Sequence, residues 1–545
     1  MEQLIEGKES LMSDKMIPVP FPQMLEKLIT EYKNFGTLMG VTVCPEELSI
    51  PVGPAAGPHT QLAGNIVAAY ASGANCFELK TVQILEGEDL HIVKPCIYAG
   101  NKVFNTEWST ELTIEGARDE YIKAYLLIQI LSMELQLRDA DRLSYIMSVG
   151  YDLKGIQSPK VDTFINDLIH ASATKEWQKD ISYVKEHLSG FQNITICDIN
   201  KIEERDTVSD TVTLSTMHGC RSSEIEGIAV YLLQQKRLNT YIKMNPTLIG
   251  KEAIRNILDQ KGYHEIVFDD KIFEKDITLS MAEDIIRKCQ TVADEVSREF
   301  GVKLTNTFPV INTKQELRGD EMYLSGPVLY PMAIGAAATL AHRLDGKLRI
   351  SYSGGADQYN IREILAAGIA PVTISSLLLK PGGYQHLTRL MKEAKDVIKR
   401  DTLDLVKLTQ IAGQALADPH YQEKKEPVFQ YSKNYDNLCA KCHNCVDVCP
   451  NRANIRLEME KQSYVIHRER LCNECGCCTC ACILGHNPYR EKFTLFEEET
   501  EYNNSVSDGI LLINHTFKYR EKGQEKPVPE PLLRLMQIAI EKGKI

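Results

Sequence analysis

Between about Ser49 and Arg400, short apolar runs alternate with longer stretches whose apolar residues recur at helical spacing. The runs predict strands at 48–56, 76–82, 145–150, 211–216, 240–246, 302–307, 348–355 and 371–376. Helices fit between them. From Tyr121 to Leu137, the residues Ile122, Leu126, Ile130, Met133 and Leu137 share one helical face, and a second helix is predicted from about Thr60 to Gly73. A ninth strand-like run, EIVFDD at 265–270, reads as part of an insertion. Eight strand–helix units at this length favour a closed (β/α)8 TIM barrel over an open sheet.

A closed barrel makes a demand: functional residues gather at the C-terminal ends of its strands. Lys80 and Thr81 close the second predicted strand; Lys243, Asn245 and Thr247 close the fifth, and Thr305, Asn306 and Thr307 the sixth. Gly354 and Gly355 end the seventh, Ser375 and Ser376 the eighth. The glycines suit a backbone that approaches a phosphate, and the loops after strands seven and eight are the usual phosphate site of such barrels. A lysine inside a barrel needs a partner, which the electron-rich edge of a flavin would supply. Taken singly, the glycine pair also reads as a turn, Lys243 as an ion-paired residue and Asn306 as a helix cap. Their convergence on one mouth favours a site.

At 545 residues the chain is too long for one core, so two or three domains are expected. With 43% apolar and 25% charged residues it has a globular composition. A net charge of −12 argues against nucleic-acid or anionic-membrane surfaces. The start lacks the pattern of a signal peptide, and the longest apolar candidate, Tyr330 to Ala341, is too short to span a bilayer and contains Gly335. A cytoplasmic location is expected.

Of sixteen cysteines, ten lie between Cys439 and Cys482, which points to metal ligation, not a disulfide framework. Cys439, Cys442, Cys445 and Cys449, followed by Pro450, match the bacterial ferredoxin run C-x2-C-x2-C-x3-C-P. Cys472, Cys475, Cys478 and Cys482 repeat the spacing. Three thiolates two residues apart wrap one cluster, and the fourth reaches its neighbour. One 4Fe–4S cluster is therefore assigned to Cys439, Cys442, Cys445 and Cys482, the other to Cys472, Cys475, Cys478 and Cys449. Structural zinc is the alternative, since it also uses C-x2-C pairs. Cys477 and Cys480 fall off the pattern.

The motifs GPAAG, ELKTV, FNTE, TLSTMHG, IKMNP, VKLTNT and SYSGG stand in the order seen in dihydroorotate and dihydropyrimidine dehydrogenases. A barrel followed by two clusters resembles the flavin and ferredoxin half of dihydropyrimidine dehydrogenase, a separate subunit in bacteria. PVGPAAGPHTQLA, FNTEWSTE, LSTMHGC and ISYSGGA further resemble the family named for a selenate reductase subunit, encoded among purine-catabolism genes. No molybdenum-site pattern accompanies that name. The resemblance covers roughly residues 15–400 and the ferredoxin motifs. It implies FMN, held by Ala55, Ala56, Lys80, Thr81, Lys243, Asn306, Gly326, Gly354, Gly355, Ser375 and Ser376. It also places Asn105 and Glu107 where the dehydrogenase holds its pyrimidine; an amide and a carboxylate there can pair with ring N–H and C=O groups.

One position departs. Those enzymes carry Cys or Ser in a loop after the fourth strand, where this sequence has Thr216. A threonine hydroxyl is a poor acid without a relay. His218 and Cys220 are nearby alternatives as proton donor, the imidazole titrating nearer neutrality; loop packing is the plain alternative for both.

Clusters pass single electrons, whereas reducing a ring double bond takes two, and flavin converts between them. The expected activity is an FMN- and iron–sulfur-dependent oxidoreductase acting on CH–CH or CH–NH groups of a purine- or pyrimidine-type heterocycle. Dihydroorotate-type oxidation in the reverse direction, and an electron-transfer or assembly subunit without substrate chemistry, are the rival readings. No G-x-G-x-x-G follows a strand, so an FAD/NAD(P)H-binding subunit or a ferredoxin is expected as donor, in a hetero-oligomer. The expected organisation is a helical segment at 1–46, the FMN-binding barrel at 47–402 and a linker at 403–430. A two-cluster ferredoxin-like domain at 431–490 and a tail at 491–545, open to partner docking, complete it. The charged stretch from Asp418 to Tyr435, with Pro419 and Pro427, reads as the connection between domains.

Overall fold

The computed structural model describes residues 16–45, 50–216, 218–398, 400–424, 439–459, 462–505, 507–513 and 516–545. All eight predicted runs overlap a strand of one sheet: β1 Val52–Pro54, β2 Cys76–Glu78, β3 Ser144–Gly150, β4 Thr211–Ser215, β5 Asn239–Met244, β6 Phe300–Leu304, β7 Arg349–Tyr352 and β8 Val372–Ile374. Their order is β1–β8–β7–β6–β5–β4–β3–β2, and every ladder is parallel. At the seam, β1 and β2 are joined by Asn75 N–H donating to the Val52 carbonyl at 3.0 Å, not by a ladder, so this TIM barrel is nearly closed. The approach requires Gly53, where a Cβ would lie 1.6 Å from the Cys76 carbonyl oxygen.

Strand alternation sorts the side chains. Ile242, Val302 and Ile350 stand in register on β5, β6 and β7 and are buried. The next residues, Lys243, Lys303 and Ser351, also stand in register, giving the interior one polar layer. A helix follows each strand on the outside, from the wholly buried Ala63–Ala71 to Gln385–Ala394. The predicted helix from Thr60 is thus Ala63–Ala71 preceded by a short turn, and the one from Tyr121 is Ile114–Glu134, capped by Thr113 and ending before Leu137.

Between β3 and β4, after the one-turn helix Leu153–Ile156, lie three longer helices, Pro159–Ile169, Lys175–Glu186 and Ile196–Glu204. The first two pack against Ile114–Glu134 on the outside, with Tyr121 against Phe164 at 6.2 Å and Tyr125 stacked on Trp177 at 5.9 Å. Of the described residues in this segment only Tyr151 lines the mouth, next to Gly150 at the end of β3.

A four-stranded antiparallel sheet, in the order 308–311, 321–325, 103–105 and 97–99, stands over the mouth. The expected strand at 265–270 is absent: it is irregular, and Val267 only accepts one N–H from Ile311 at 2.8 Å. Its charged end explains this, because Glu265 turns to pair with Lys102.

The linker expectation is corrected. Helix Leu405–Ala417 buries Leu408, Ile411 and Ala415 against the barrel, packing on Leu329–Arg343; a face apolar at helical spacing outweighs the flanking charge. Residues 425–438, the rest of the proposed connection, lie outside the described residues, as do residues 1–15 and 46 of the proposed N-terminal segment, whose helix is Phe21–Phe35.

The C-terminal cysteine-rich region is a sheet domain. Six strands run in the order 454–459, 462–468, 494–496, 509–513, 516–521 and 524–526. Four of them, and helix Glu530–Glu541, belong to the stretch read as a tail, so 491–545 completes this domain. The helix buries Leu535, Met536 and Ala539 against Leu457, Ile466, Leu495 and Ile510. The domain docks on the barrel: Asn65 Nδ2 donates to the Pro450 carbonyl at 2.7 Å, Ile97 N–H to the Cys475 carbonyl at 2.9 Å and Arg452 Nε to the Met39 carbonyl at 2.9 Å. Among the described residues no helix is long and apolar enough to cross a membrane.

Candidate functional site

The strand ends and the small sheet enclose a cavity of about 390 Å³, the size of a small-ligand pocket. Ala55, Ala56, Lys80, Thr81, Lys243, Asn306, Gly326, Gly354, Gly355, Ser375 and Ser376 all line it, as do Asn105, Glu107, Thr216 and His218. Cys220 does not. It is half-buried behind the mouth, where burial, then Glu224 and Asp152, push its thiol up to about 11.

Beneath the cavity-lining Thr373 lies an ion pair that the sequence reading missed. Lys303 Nζ lies 3.1 Å from Glu78 Oε2 and donates to Thr373 Oγ1 at 2.7 Å; both charged side chains are sealed from solvent. The same Glu78 oxygen accepts Ala56 N–H at 2.9 Å, fixing the cavity-lining segment after β1. Burial alone would raise the Glu78 carboxyl, but Lys303 and Lys243 hold it below its ordinary value. Lys243 makes no hydrogen bond among the described residues. Burial, with Lys303 and Lys80 adding, pushes its ammonium down to about 8, against the attraction of Glu78.

One side of the cavity is a backbone cradle. Gly326 (φ +91°) and Gly355 (φ +69°) occupy the left-handed region, and a Cβ on Gly355 would meet Tyr330 N at 2.8 Å and Gly326 O at 3.0 Å. The N–H groups of Gly354, Gly355 and Ala356 donate to nothing among the described residues. The N-terminal end of helix Leu329–Arg343 lies alongside. Unspent donors at a helix start suit an anion.

The opposite side holds Lys80 paired with Glu107, both buried. Thr81 Oγ1 bonds Ser148 Oγ at 2.8 Å, and Asn105 Nδ2 donates to the Tyr323 carbonyl at 3.5 Å. Behind Glu107, a buried chain leads to the cysteine-rich domain: Cys96 Sγ is 3.8 Å from Glu107 Oε2, and Lys94 Nζ is 3.6 Å from Cys96 Sγ and 2.6 Å from Glu111 Oε2. Asn473 Nδ2 then donates to Glu111 Oε1 at 2.7 Å. Burial, then Glu107, raises the Glu111 carboxyl against the pull of Lys94. No local motif marks Cys96, Lys94 or Glu111.

At the rim, His218 Nδ1 is 2.7 Å from Asp276 Oδ2, which also accepts Thr247 Oγ1 at 2.7 Å and Asn245 Nδ2 at 3.1 Å. Gly219 N–H donates to the other Asp276 oxygen at 2.7 Å, and Asn306 Nδ2 donates to Asn245 Oδ1 at 3.0 Å. Burial would raise the Asp276 carboxyl; His218, Thr247 and Gly219 hold it below its ordinary value. Asp276 lies 58 residues from His218 with no sequence signal linking them.

Cys449, Cys472, Cys475 and Cys478, one predicted ligand set, line a single small void together with Cys477 and His467. Cys439, Cys442 and Cys445 gather near the surface, with Cys439 and Cys442 exposed. For Cys482 the adjoining Ala481 carbonyl accepts Asn444 Nδ2 at 3.3 Å, bringing it towards helix Asn444–Asp447. A cysteine-rich region with this spacing is consistent with iron–sulfur clusters.

Comparison with known proteins gives three findings. Residues 29–424 match the family described as oxidoreductase YgfK, N-terminal TIM-barrel domain. The oxidoreductase YgfK proteins of Escherichia coli K12 and Escherichia coli O157:H7 are each 40% identical over 476 residues, covering 82% of this chain and 46% of the relative. The chain therefore spans about half the length of the curated relatives it matches. A crystal structure of DHODH from Eimeria tenella in complex with ferulenol superposes with a TM-score of 0.37 at 12% identity, covering 74% of this chain and 94% of that one.

Proposed function

The chain belongs to the oxidoreductase YgfK family, whose N-terminal TIM-barrel domain it carries, and on that footing we propose that it is an FMN- and iron–sulfur-dependent oxidoreductase subunit. In this reading two 4Fe–4S clusters pass electrons to the barrel cavity, where a double bond of a purine- or pyrimidine-type heterocycle is reduced. One observation carries it. Ile97, which lines the cavity, donates its N–H to the carbonyl of Cys475, which lines the void of the second cysteine set, so one strand separates the two.

The residues fit the groups. The glycine cradle of Gly326, Gly354 and Gly355, with Ser375 and Ser376, offers donors to a phosphate, and Lys243 offers an unpaired charge to a ring. Bound there, FMN supplies the exchange between single electrons and two-electron reduction of a substrate. Glu107, held by Lys80, accepts N–H groups of a heterocycle, and Asn105 pairs with its carbonyls. Thr216 and His218 stand where a proton is exchanged with the ring. The upstream donor in this reading is an FAD/NAD(P)H-binding subunit or a ferredoxin, reaching the first cluster through the face that exposes Cys439 and Cys442.

The test is anaerobic reconstitution of the full chain with iron, sulfide and FMN, reduction with dithionite, and addition of oxidised pyrimidines and purines in turn. Bleached flavin absorbance returning with one of them supports the proposal. A chain that binds neither FMN nor iron, or whose reduced form no heterocycle reoxidises, refutes it.

A further inference from the structure

We propose that His218, positioned by Asp276, is the group that exchanges a proton with the substrate ring, a role resting on the reading above but assigned by the geometry of the rim alone. The sequence leaves three choices after β4, and the structure separates them. Cys220 lies off the cavity, with its thiol pushed up to about 11. Thr216 lines the cavity, but its hydroxyl has no hydrogen-bond partner among the described residues and so no relay. His218 lines the cavity and has one.

Asp276 is built for that purpose. Its carboxylate accepts from His218, Thr247 and Asn245 on one oxygen and from Gly219 on the other, four donors brought from two separate segments. A carboxylate so satisfied stays ionised and fixes a proton on His218 Nδ1. The other nitrogen, Nε2, is then the one that gains and loses a proton. Its nearest described acceptor is the Thr307 carbonyl at 3.4 Å, a long contact that a substrate atom can replace. The imidazole side chain is 19% exposed and the carboxylate 2%, so the ring, not the acid, communicates with solvent. The charged side chains sharing the cavity with it are Lys275 beside it, Lys243, Glu321 and the Lys80–Glu107 pair.

In the step, the Nε2–H bond breaks as a bond from that hydrogen to a ring atom forms, and neutral imidazole keeps its Nδ1–H on Asp276. Solvent at the mouth restores the Nε2 proton. The two electrons and the second hydrogen of the reduction come from reduced FMN, the reductant already named. Asp276 touches no reacting atom and is a positioning residue. It also reaches the cofactor side, because Asn245, which it binds, holds Asn306.

The experiment has two arms on the full chain. In protein carrying 15N-histidine, the His218 ring is assigned by the signals lost in His218→Gln; its neutral form should carry the proton on Nδ1, and protonation on Nε2 overturns the proposal whether or not a substrate is known. The second arm times reoxidation of the dithionite-reduced holoprotein by the heterocycle found above. His218→Gln should slow it by about 10²–10⁴-fold, the usual contribution of a general acid. Flavin reduction by dithionite should keep its rate. Imidazole in the buffer should restore turnover to His218→Ala, and Asp276→Asn should slow the reaction and alter its pH profile. An unchanged rate in His218→Gln overturns it. If no heterocycle reoxidises the unaltered chain, the reaction assigned above has failed, and the ring protonation still decides the dyad.

Discussion

Replacing Lys303 by Met tests whether the sealed ion pair beneath the cavity stabilises the barrel. The substitution keeps the side chain's length and removes its charge. Glu78 is then left with Ala56 N–H and the long 3.5 Å contact from Thr373 Oγ1 on one oxygen and nothing on the other. Removing one partner of a buried pair costs about 3–5 kcal/mol, mostly the desolvation of the charge left behind. Lys243 remains nearby and gains affinity for its proton once Lys303 no longer repels it, so a loss near the lower end, about 3 kcal/mol, is expected. The double variant Lys303→Met with Glu78→Gln should cost at least about 1 kcal/mol less than the sum of the two singles. Urea unfolding of the full chain, read through the fluorescence of Trp108 and Trp177, which both lie in the barrel part of the chain, follows the barrel transition. The pair also has a pH signature. The Glu78 carboxyl titrates lower in the folded chain than its ordinary 4.5, so its stabilisation is complete above that value and fades as pH falls through the folded one. A Lys303→Met loss under about 1 kcal/mol, or additive singles, would refute the reasoning.

Asp180 is buried with neither carboxylate oxygen hydrogen-bonded, and burial, then Glu176, push it up to about 8. An acid raised on folding withdraws stability as pH rises from its unfolded value to its folded one, so Asp180→Asn should raise Tm more at about pH 8 than at about pH 5. Gly355→Ala forces a Cβ against Tyr330 N at 2.8 Å and strains a φ of +69°, so the reconstituted variant should bind FMN at least about ten-fold more weakly, by fluorescence titration. Cys475→Ala should roughly halve bound iron while leaving FMN content unchanged; unchanged iron would remove Cys475 from the ligand set.

The barrel was legible because each strand carries its own signal. An apolar run between helical stretches predicts a strand wherever it lies, and all eight predicted runs overlap one. The cysteine cadence was legible for the same reason, since spacing along the chain is a local property. The errors fell where local signals mislead. Asp418 and its charged neighbours read as a linker, yet the preceding helix buries Leu408 and Ile411. GILLIN read as part of a tail, yet Ile510 and Leu511 lie in the fourth strand of a six-stranded sheet.

By itself, then, the sequence determined the strand–helix alternation, the residues that strand ends would present at one mouth, and the two sets of cysteines. The tertiary structure alone decided the partnerships. Lys303 with Glu78, His218 with Asp276, and the run from Asn473 through Glu111, Lys94 and Cys96 to Glu107 join residues far apart in the chain. Side-chain chemistry acts over a few ångströms of space, and only barrel closure and domain docking bring those distances about.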